Sequence, residues 1–305
     1  MFMSSSFEKV RATEVSPQPA LLVVVAHPDD EILGAGIWLR RHAEYGRHIL
    51  SVTDGSPRDM QDARAAGFAT RRSYAAARRS ELREALEMVS IPRRNCHRCD
   101  YPDKESYLHL PALIERVDRL VEVLRPSVVL SHAYEGGHPD HDAAAFAVAM
   151  VHRAMLRRFG RSFRHLEFPL YHAGANGEMV ANEFLVGDSQ AEEVVELTPA
   201  ERDLKSRMLE CFRTQVQMLR QFSRDRERFR ESPQHDFSMP PHPGPLLYEG
   251  WEWGISGSVW REKAREAEAY VSSTQPCPGP EDLGATASPT PFLSPGLTRS
   301  RDRLF

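Results

Sequence analysis

Two short stretches of the chain concentrate side chains that can do chemistry. Ala26-His27-Pro28-Asp29-Asp30-Glu31 offers one imidazole and three carboxylates, and His138-Pro139-Asp140-His141-Asp142 offers two of each. In a turn, neighbouring side chains diverge, so one can hold a metal while the next faces a substrate. A catalytic divalent ion needs about three protein ligands and an open position. His27, Asp30 and His141 could supply two neutral nitrogens and one carboxylate, a set able to lower the pKa of bound water from about 16 to near 7. A single His-Pro-Asp is ordinary turn chemistry. Two such clusters are a different matter, because ionised groups at a partly buried sheet edge are costly unless paired or metal-bound.

These clusters require elements to position them. Leu21–Ala26 is a continuous Val-rich run that reads as a strand buried on both faces, and it ends at His27. Gly34–Tyr45 reads as helix and His48–Thr53 as a second strand, closed by the Asp54-Gly55 turn signal. Residues 59–90 favour helix, interrupted at Gly67, and the stretch Arg94–Tyr107 has no defined pattern. Pro111 opens a helix carrying Leu113, Val117, Leu120, Val121 and Leu124; Ser127–Ser131 is another buried strand, and Asp142–Phe159 is helix. Strands alternating with helices predict an α/β Rossmann-like sheet of mostly parallel strands with helices on both faces. Ligand sites in such sheets lie beyond the carboxyl ends of the strands, where both clusters fall.

A smaller C-terminal α+β portion is expected over residues 161–271, completing the fold and the pocket around a core at 19–160. His165–Tyr171 and Val194–Leu197 read as strands. Thr198-Pro199-Ala200-Glu201 gives an N-cap, a first-turn proline and a capping-box glutamate, opening a helix whose stripe runs from Leu204 to Phe222. Arg224–Arg230 reads as a solvated helical face, and Val259–Tyr270 as a last helix. Residues 1–18 read as a flexible lead-in and 272–305 as a disordered tail rich in Pro, Ser, Thr and Gly.

Composition removes several function classes. The 43 acidic and 39 basic residues give a net charge of −4, without the basic excess of a dedicated nucleic-acid binder. No apolar run approaches the roughly 20 residues of a membrane span. The first residues lack an apolar secretory core, and four cysteines in 305 residues make no disulfide scaffold, so a cytoplasmic protein is expected. A homo-oligomer is compatible with all of this.

The first cluster, with Gly34 following it, and Gly136-Gly137-His138-Pro139-Asp140-His141 together resemble the motifs of the PIG-L/LmbE-like N-deacetylases. Thr53-Asp54-Gly55, Arg78-x-x-Glu81-Leu82 and Tyr101-Pro102-Asp103 add minor likeness. The resemblance spans about residues 20–150, with a weaker echo at 205–215. It implies one catalytic divalent ion, usually zinc with ferrous iron open, and hydrolysis of an N-acetyl amide on a GlcNAc-type sugar to give acetate and a free amine. Carried over by motif, His27, Asp30 and His141 are the ligands and Asp29 the general base. His138 stabilises the oxyanion or protonates the leaving amine, with Asp140 orienting it and favouring its cationic form. Arg78 and Asp103 resemble substrate-contacting positions, although a solvated face of an Arg-rich helix is the plain alternative for Arg78. Tyr134, four residues before His138, is a doubtful oxyanion partner at that spacing.

Other signals weigh less. Cys96-His97-Arg98-Cys99 lacks a second half with zinc-finger spacing, and Gly34-Ala35-Gly36 lacks the third glycine of a dinucleotide loop. His132, His172, Trp251 and Trp253 read as pocket lining or as ordinary packing. Rival readings are a non-haem iron oxygenase, whose facial triad the His27-x-Asp29 spacing resembles, and a catalytically silent sugar-binding protein. Substrate specificity is expected from the loops at 55–75, 100–110 and 172–190 and from the region after 230.

Overall fold

The computed structural model describes residues 18–186, 190–251 and 253–274. The lead-in and most of the expected tail lie outside these residues; positions 272–274 belong to a helix. In chain order the elements are β1 (Ala20–Val25), α1 (Asp30–Arg41), β2 (Gly46–Thr53), α2 (Gln61–Ala65), α3 (Arg71–Met88), β3 (Cys96–Tyr101) and α4 (Leu110–Leu124). There follow β4 (Val128–His132), α5 (Pro139–Phe159), β5 (Arg164–Phe168), β6 (Tyr171–Ala173), β7 (Met179–Ala181) and β8 (Glu192–Glu196). The chain continues through α6 (Pro199–Glu210), α7 (Val216–Leu219), β9 (Arg226–Glu231) and α8 (Gly257–Thr274).

The main sheet runs β3-β2-β1-β4-β5-β9-β8. Its first five strands are parallel, and β9 and β8 add antiparallel pairs at one edge. β1 explains the layering. Its residues alternate between two cores, with Leu21, Val23 and Val25 facing one and Leu22 and Val24 the other. α1, α3 and α6 cover the first face. α4, α5 and α8 cover the second, α8 contributing Trp260, Ala264, Ala267 and Val271 at helical spacing. This is the expected mostly parallel α/β sheet, and no all-β barrel of the oxygenase type is present among the described residues.

From β1 the chain builds β2 and β3 on one side, then returns to place β4 and β5 on the other. The carboxyl ends of β1 and β4 therefore flank a topological switch point, where a crevice opens in sheets of this kind. The first cluster follows β1, and the second follows β4.

Several expectations are corrected. The patternless stretch after Arg94 contains β3, whose exposed edge position removes the apolar run that marks an inner strand. The stripe from Leu204 to Phe222 is split, α6 ending at Glu210 and α7 starting at Val216. The strand expected through Tyr171 stops at Phe168, and Tyr171 opens a separate hairpin. The supposed helical face at Arg224–Arg230 is largely β9. Two of its five charges are buried in pairs, Glu227 with Lys205 at 2.8 Å and Arg230 with Glu167 at 2.6 Å. Glu227 also accepts from the backbone N–H groups of Ile37 and Trp38 at 2.9 and 2.7 Å, beyond the kink of α1 at Ala35.

Candidate active site

The first cluster is a tight turn closed by its own acids. Asp30 Oδ2 accepts the His27 N–H at 2.7 Å, and Glu31 Oε2 accepts the Asp29 N–H at 3.0 Å. Asp30 and Glu31 occupy the first turn of α1, where the helix dipole favours negative charge. At the end of β4, His132 Nε2 accepts the Ala26 N–H at 3.0 Å and so ties the two strand ends together.

The second cluster is held by buried carboxylates. Asp142 Oδ1 accepts the N–H groups of Glu135 and Gly136 at 3.3 and 3.1 Å. Glu135 Oε1 accepts those of Leu170 and Tyr171 at 2.8 and 3.0 Å. The chain between can pass only with glycine. Gly136 has φ +68°, and a Cβ on Gly137 would lie 1.8 Å from the Tyr171 carbonyl oxygen. His138 then caps α5, its Nδ1 accepting the Asp140 N–H at 3.2 Å, and Pro139 fills the first helical position. The Asp140 carboxylate accepts from Lys104 N at 2.6 Å and from Ser106 N and Oγ at 2.9 and 2.5 Å. That anchors the 103–106 loop over the site.

His27, Asp30 and His141 converge. His27 Nδ1 lies 3.3 Å from Asp30 Oδ2, His141 Nε2 lies 3.3 Å from His27 Nδ1, and His141 Nε2 lies 3.7 Å from Asp30 Oδ2. Ligand bonds of about 2.0–2.1 Å in a tetrahedral zinc site place donors about 3.3–3.4 Å apart, so this triangle fits such an ion. On its other nitrogen, His27 Nε2 faces Asp103 Oδ1 at 3.1 Å and Asp140 Oδ2 at 3.4 Å. A carboxylate behind a ligating imidazole is the usual orienting arrangement. His132 joins from below, with Nε2 3.3 Å from Asp30 Oδ2 and its ring stacked on His141 at 4.1 Å.

Burial is nearly complete, and it governs the protonation states. Burial alone would raise Asp30, but His141, His27 and His132 hold it well below the ordinary carboxylate range. Burial, reinforced by His132, holds His141 well below 6.5, leaving its nitrogen free to coordinate. His27 is held well above 6.5 because Asp103 and Asp30 outweigh burial. Asp29 is raised to about 7 by burial, with the Arg78 guanidinium opposing the rise. His138 is pushed down to about 4 by burial and by His27. The expectation of a histidine made cationic by Asp140 is thus corrected. The Asp140 contact to Nδ1 comes from its backbone N–H, while the carboxylate stays 3.9 Å away and serves the 103–106 loop.

All eight predicted residues lie in this region, and Arg78 and Asp103 line the cleft while also contacting the side chains at its floor. Arg78 sits beneath Asp29, donating from Nη2 to Asp29 Oδ2 at 3.0 Å and from Nη1 to the Gly55 carbonyl at 2.9 Å. It is 4% exposed, so the solvated-face alternative fails. Asp103 lies between His27 and His138, 3.6 Å from His138 Nε2. Tyr134 donates its hydroxyl to the Met239 carbonyl at 2.9 Å and does not line the cleft; Tyr171, edge-on to His141, does. Cys96 and Cys99 pack on opposite faces of β3, against different cores, and burial pushes both thiols up to about 11. They cannot share one ion. From sequence His132 reads as pocket lining or as ordinary packing; its place at the end of β4, one strand from His27, puts it beside the cluster.

A cleft of ≈ 500 Å³ opens above the cluster, lined by His27, Asp29, Asp30, Arg78, Asp103 and His138 from the core. Lys104, Tyr171, Phe222, Trp251 and Trp253 add to its walls.

Comparison with known proteins places this geometry. Residues 22–152 match the family model described as PIG-L: GlcNAc-PI de-N-acetylase, a span that contains both clusters. The chain is 29% identical over 171 residues to a probable N-acetyl-alpha-D-glucosaminyl L-malate deacetylase 2 of Bacillus cereus, covering 53% of this chain and 72% of the relative. The fold is shared with a deacetylase of teicoplanin biosynthesis solved with teicoplanin, at TM-score 0.53 and 16% identity, covering 69% of this chain and 97% of that one. It is also shared with the N,N'-diacetylchitobiose deacetylase of Pyrococcus horikoshii, at TM-score 0.51 and 17% identity, covering 74% and 86%. Residues 22–152, which carry both His/Asp clusters at the switch point of the sheet, are thus similar to the PIG-L family.

Proposed function

We propose that the chain is a metal-dependent hydrolase that removes the N-acetyl group from a GlcNAc-type sugar or glycoconjugate, releasing acetate and a free amine. The observation that carries this reading is the triangle of His27 Nδ1, Asp30 Oδ2 and His141 Nε2 on the floor of a cleft, with the Asp29 carboxylate beside it. Two imidazole nitrogens, with His27 giving up its Nδ1 proton to the ion, and a carboxylate suit a divalent ion, and zinc is the ion we assign, over ferrous iron. Bound there, such an ion polarises the acyl oxygen and brings the pKa of a water toward about 7.

The chain's own groups supply the rest. Asp29, poised at about 7, takes a proton from the attacking water as its oxygen bonds to the carbonyl carbon. Arg78 fixes the Asp29 carboxylate and keeps it ionised near neutrality. With Nδ1 of His138 accepting the Asp140 N–H, the neutral ring carries its proton on Nε2, available as a hydrogen-bond donor to the acyl oxygen. The C–N bond breaks as nitrogen gains, from Asp29, the proton that water lost, so the balance closes as amide plus water to acetate plus amine. Asp103 and Asp140 orient His27 through Nε2. Among the described residues no helix is long and apolar enough to cross a membrane. The open cleft admits a small-molecule substrate.

The test is acetate release from N-acetylated sugars by metal-loaded protein, with Asp29→Asn as the control. That variant should keep its metal content and lose roughly 10²–10⁴ in kcat, the ordinary worth of an acid–base group. Undiminished turnover would remove Asp29 as the base. A chain that binds N-acetyl sugars without releasing acetate would instead be the silent binding protein.

A further inference from the structure

The cleft has an outer part that deacetylation itself does not use. Its wall is made by residues beyond the family-matched span. Trp251 and Trp253 lie with ring centroids 4.3 Å apart, and Trp253 meets His138 edge-on at 5.0 Å. Phe222 and Met218 continue the apolar surface, and both tryptophans remain only half-buried. At ≈ 500 Å³ the cleft falls in the range of roughly 300–1,000 Å³ that buries a drug-sized ligand, more than a single hexose requires.

Its charges point the same way. Each basic side chain lining the cleft already has an acid. Arg78 is paired with Asp29 at 3.0 Å, Lys104 with Asp59 at 3.4 Å, and Arg213 with Glu84 at 2.8 Å. Lys104 is further held over the Trp253 ring, 4.4 Å from its centroid. Asp62, by contrast, is exposed at the rim, and its carboxylate has no hydrogen bond or ion pair among the described residues, with Lys104 and Arg78 acting on it only at longer range. A phosphate or carboxylate entering here would have to displace an existing ion pair and approach an unpaired carboxylate. An uncharged ring would meet the apolar indole surface left exposed by Trp251 and Trp253 and need displace no ion pair.

We propose that the substrate's sugar bears an uncharged, apolar aglycone that packs on Trp251 and Trp253, and that the site discriminates against anionic aglycones. This rests on the N-deacetylase reading above. Trp251 and Trp253 act here as specificity determinants, and Asp62 as the group that repels acidic substrates.

The experiment compares acetate release by the metal-loaded full chain from three probes: N-acetylglucosamine, its phenyl glycosides in both anomers, and its carboxymethyl glycosides. The better phenyl glycoside should exceed N-acetylglucosamine in kcat/KM by about tenfold, as one stacked and desolvated ring allows. Trp251→Ala should collapse that ratio toward one, mainly through KM. Asp62→Asn, at an exposed position, should raise kcat/KM for the carboxymethyl glycoside several-fold while leaving the phenyl ratio in place. Should wild type hydrolyse N-acetylglucosamine or the carboxymethyl glycoside as well as the phenyl glycosides, the aglycone proposal is overturned and the deacetylase reading stands. Release of acetate from none of the three would overturn the deacetylase reading itself.

Discussion

At the residue scale, the pair Asp29 and Arg78 decides how the site works near neutral pH. Burial raises the carboxyl to about 7, and the guanidinium 3.0 Å away is what prevents a further rise. Arg78→Met should therefore move the acid limb of the kcat/KM profile to higher pH, since Asp29 then holds its proton longer. Arg78→Lys should restore part of the lost range. A residue that merely touched substrate would raise KM and leave the limb in place, so the pH profile separates the two roles. The motif positions were readable because each is a short run with distinct side-chain chemistry. What each does was less readable. Arg78 and Asp103 are expected to contact substrate and both line the cleft, while the folded chain also engages one with Asp29 and the other with His27 and His138. Sequence spacing says which residues arrive together; the direction of a guanidinium depends on packing that only the assembled chain supplies.

At the element scale, the inner strands announce themselves and the edge does not. β1 is apolar throughout and flanked by β2 and β4, so its pattern was plain. β9 was missed because Arg226–Glu231 carries five charged residues in six positions, a composition that favours helix and gives no apolar alternation. Its burial depends on partners distant in sequence, above all Lys205, which pairs with Glu227 where neither side chain is exposed. Lys205→Met should destabilise the fold by about 3–5 kcal/mol, the cost of stranding a buried charge. Lys205→Met combined with Glu227→Gln should recover part of this, because Gln removes the stranded charge and retains an acceptor for one of the two amides beyond the α1 kink. Urea titration of the two variants measures both. β5 adds a pH-dependent term. His165, hydrogen-bonded to Ser131 Oγ at 2.9 Å, is pushed down to about 3 by burial. The unfolded chain binds this proton near 6.5 and the native chain does not, so the contribution is complete above pH 6.5 and is lost as pH falls toward 3. By pH 5 the loss is about 2 kcal/mol from this group. The urea midpoint should drop less between pH 7 and pH 5 in His165→Asn than in wild type; an equal drop would assign the acid sensitivity elsewhere.

At the scale of the whole molecule, the sheet order does what neither cluster can do alone. With β1 and β4 adjacent and the chain leaving them in opposite directions, the turn after one strand and the loop after the other open onto the same crevice. The sequence could locate both clusters at strand ends, but adjacency of those strands follows only from crossover order. The same logic leaves the outer wall of the cleft between two readings from sequence, pocket lining or packing, because Trp251 and Trp253 reach it from a loop far downstream whose local sequence carries no pattern. If three donors from two loops close on one ion, each is indispensable to it, whereas an orienting carboxylate behind a ligand costs only about 10–100-fold in affinity when removed. The most direct measurement is calorimetric titration of the metal-free chain with zinc, for wild type, His141→Ala and Asp103→Asn. One ion per chain in wild type is predicted, with a loss in His141→Ala well beyond that in Asp103→Asn. Equal stoichiometry and affinity in wild type and His141→Ala would contradict the account.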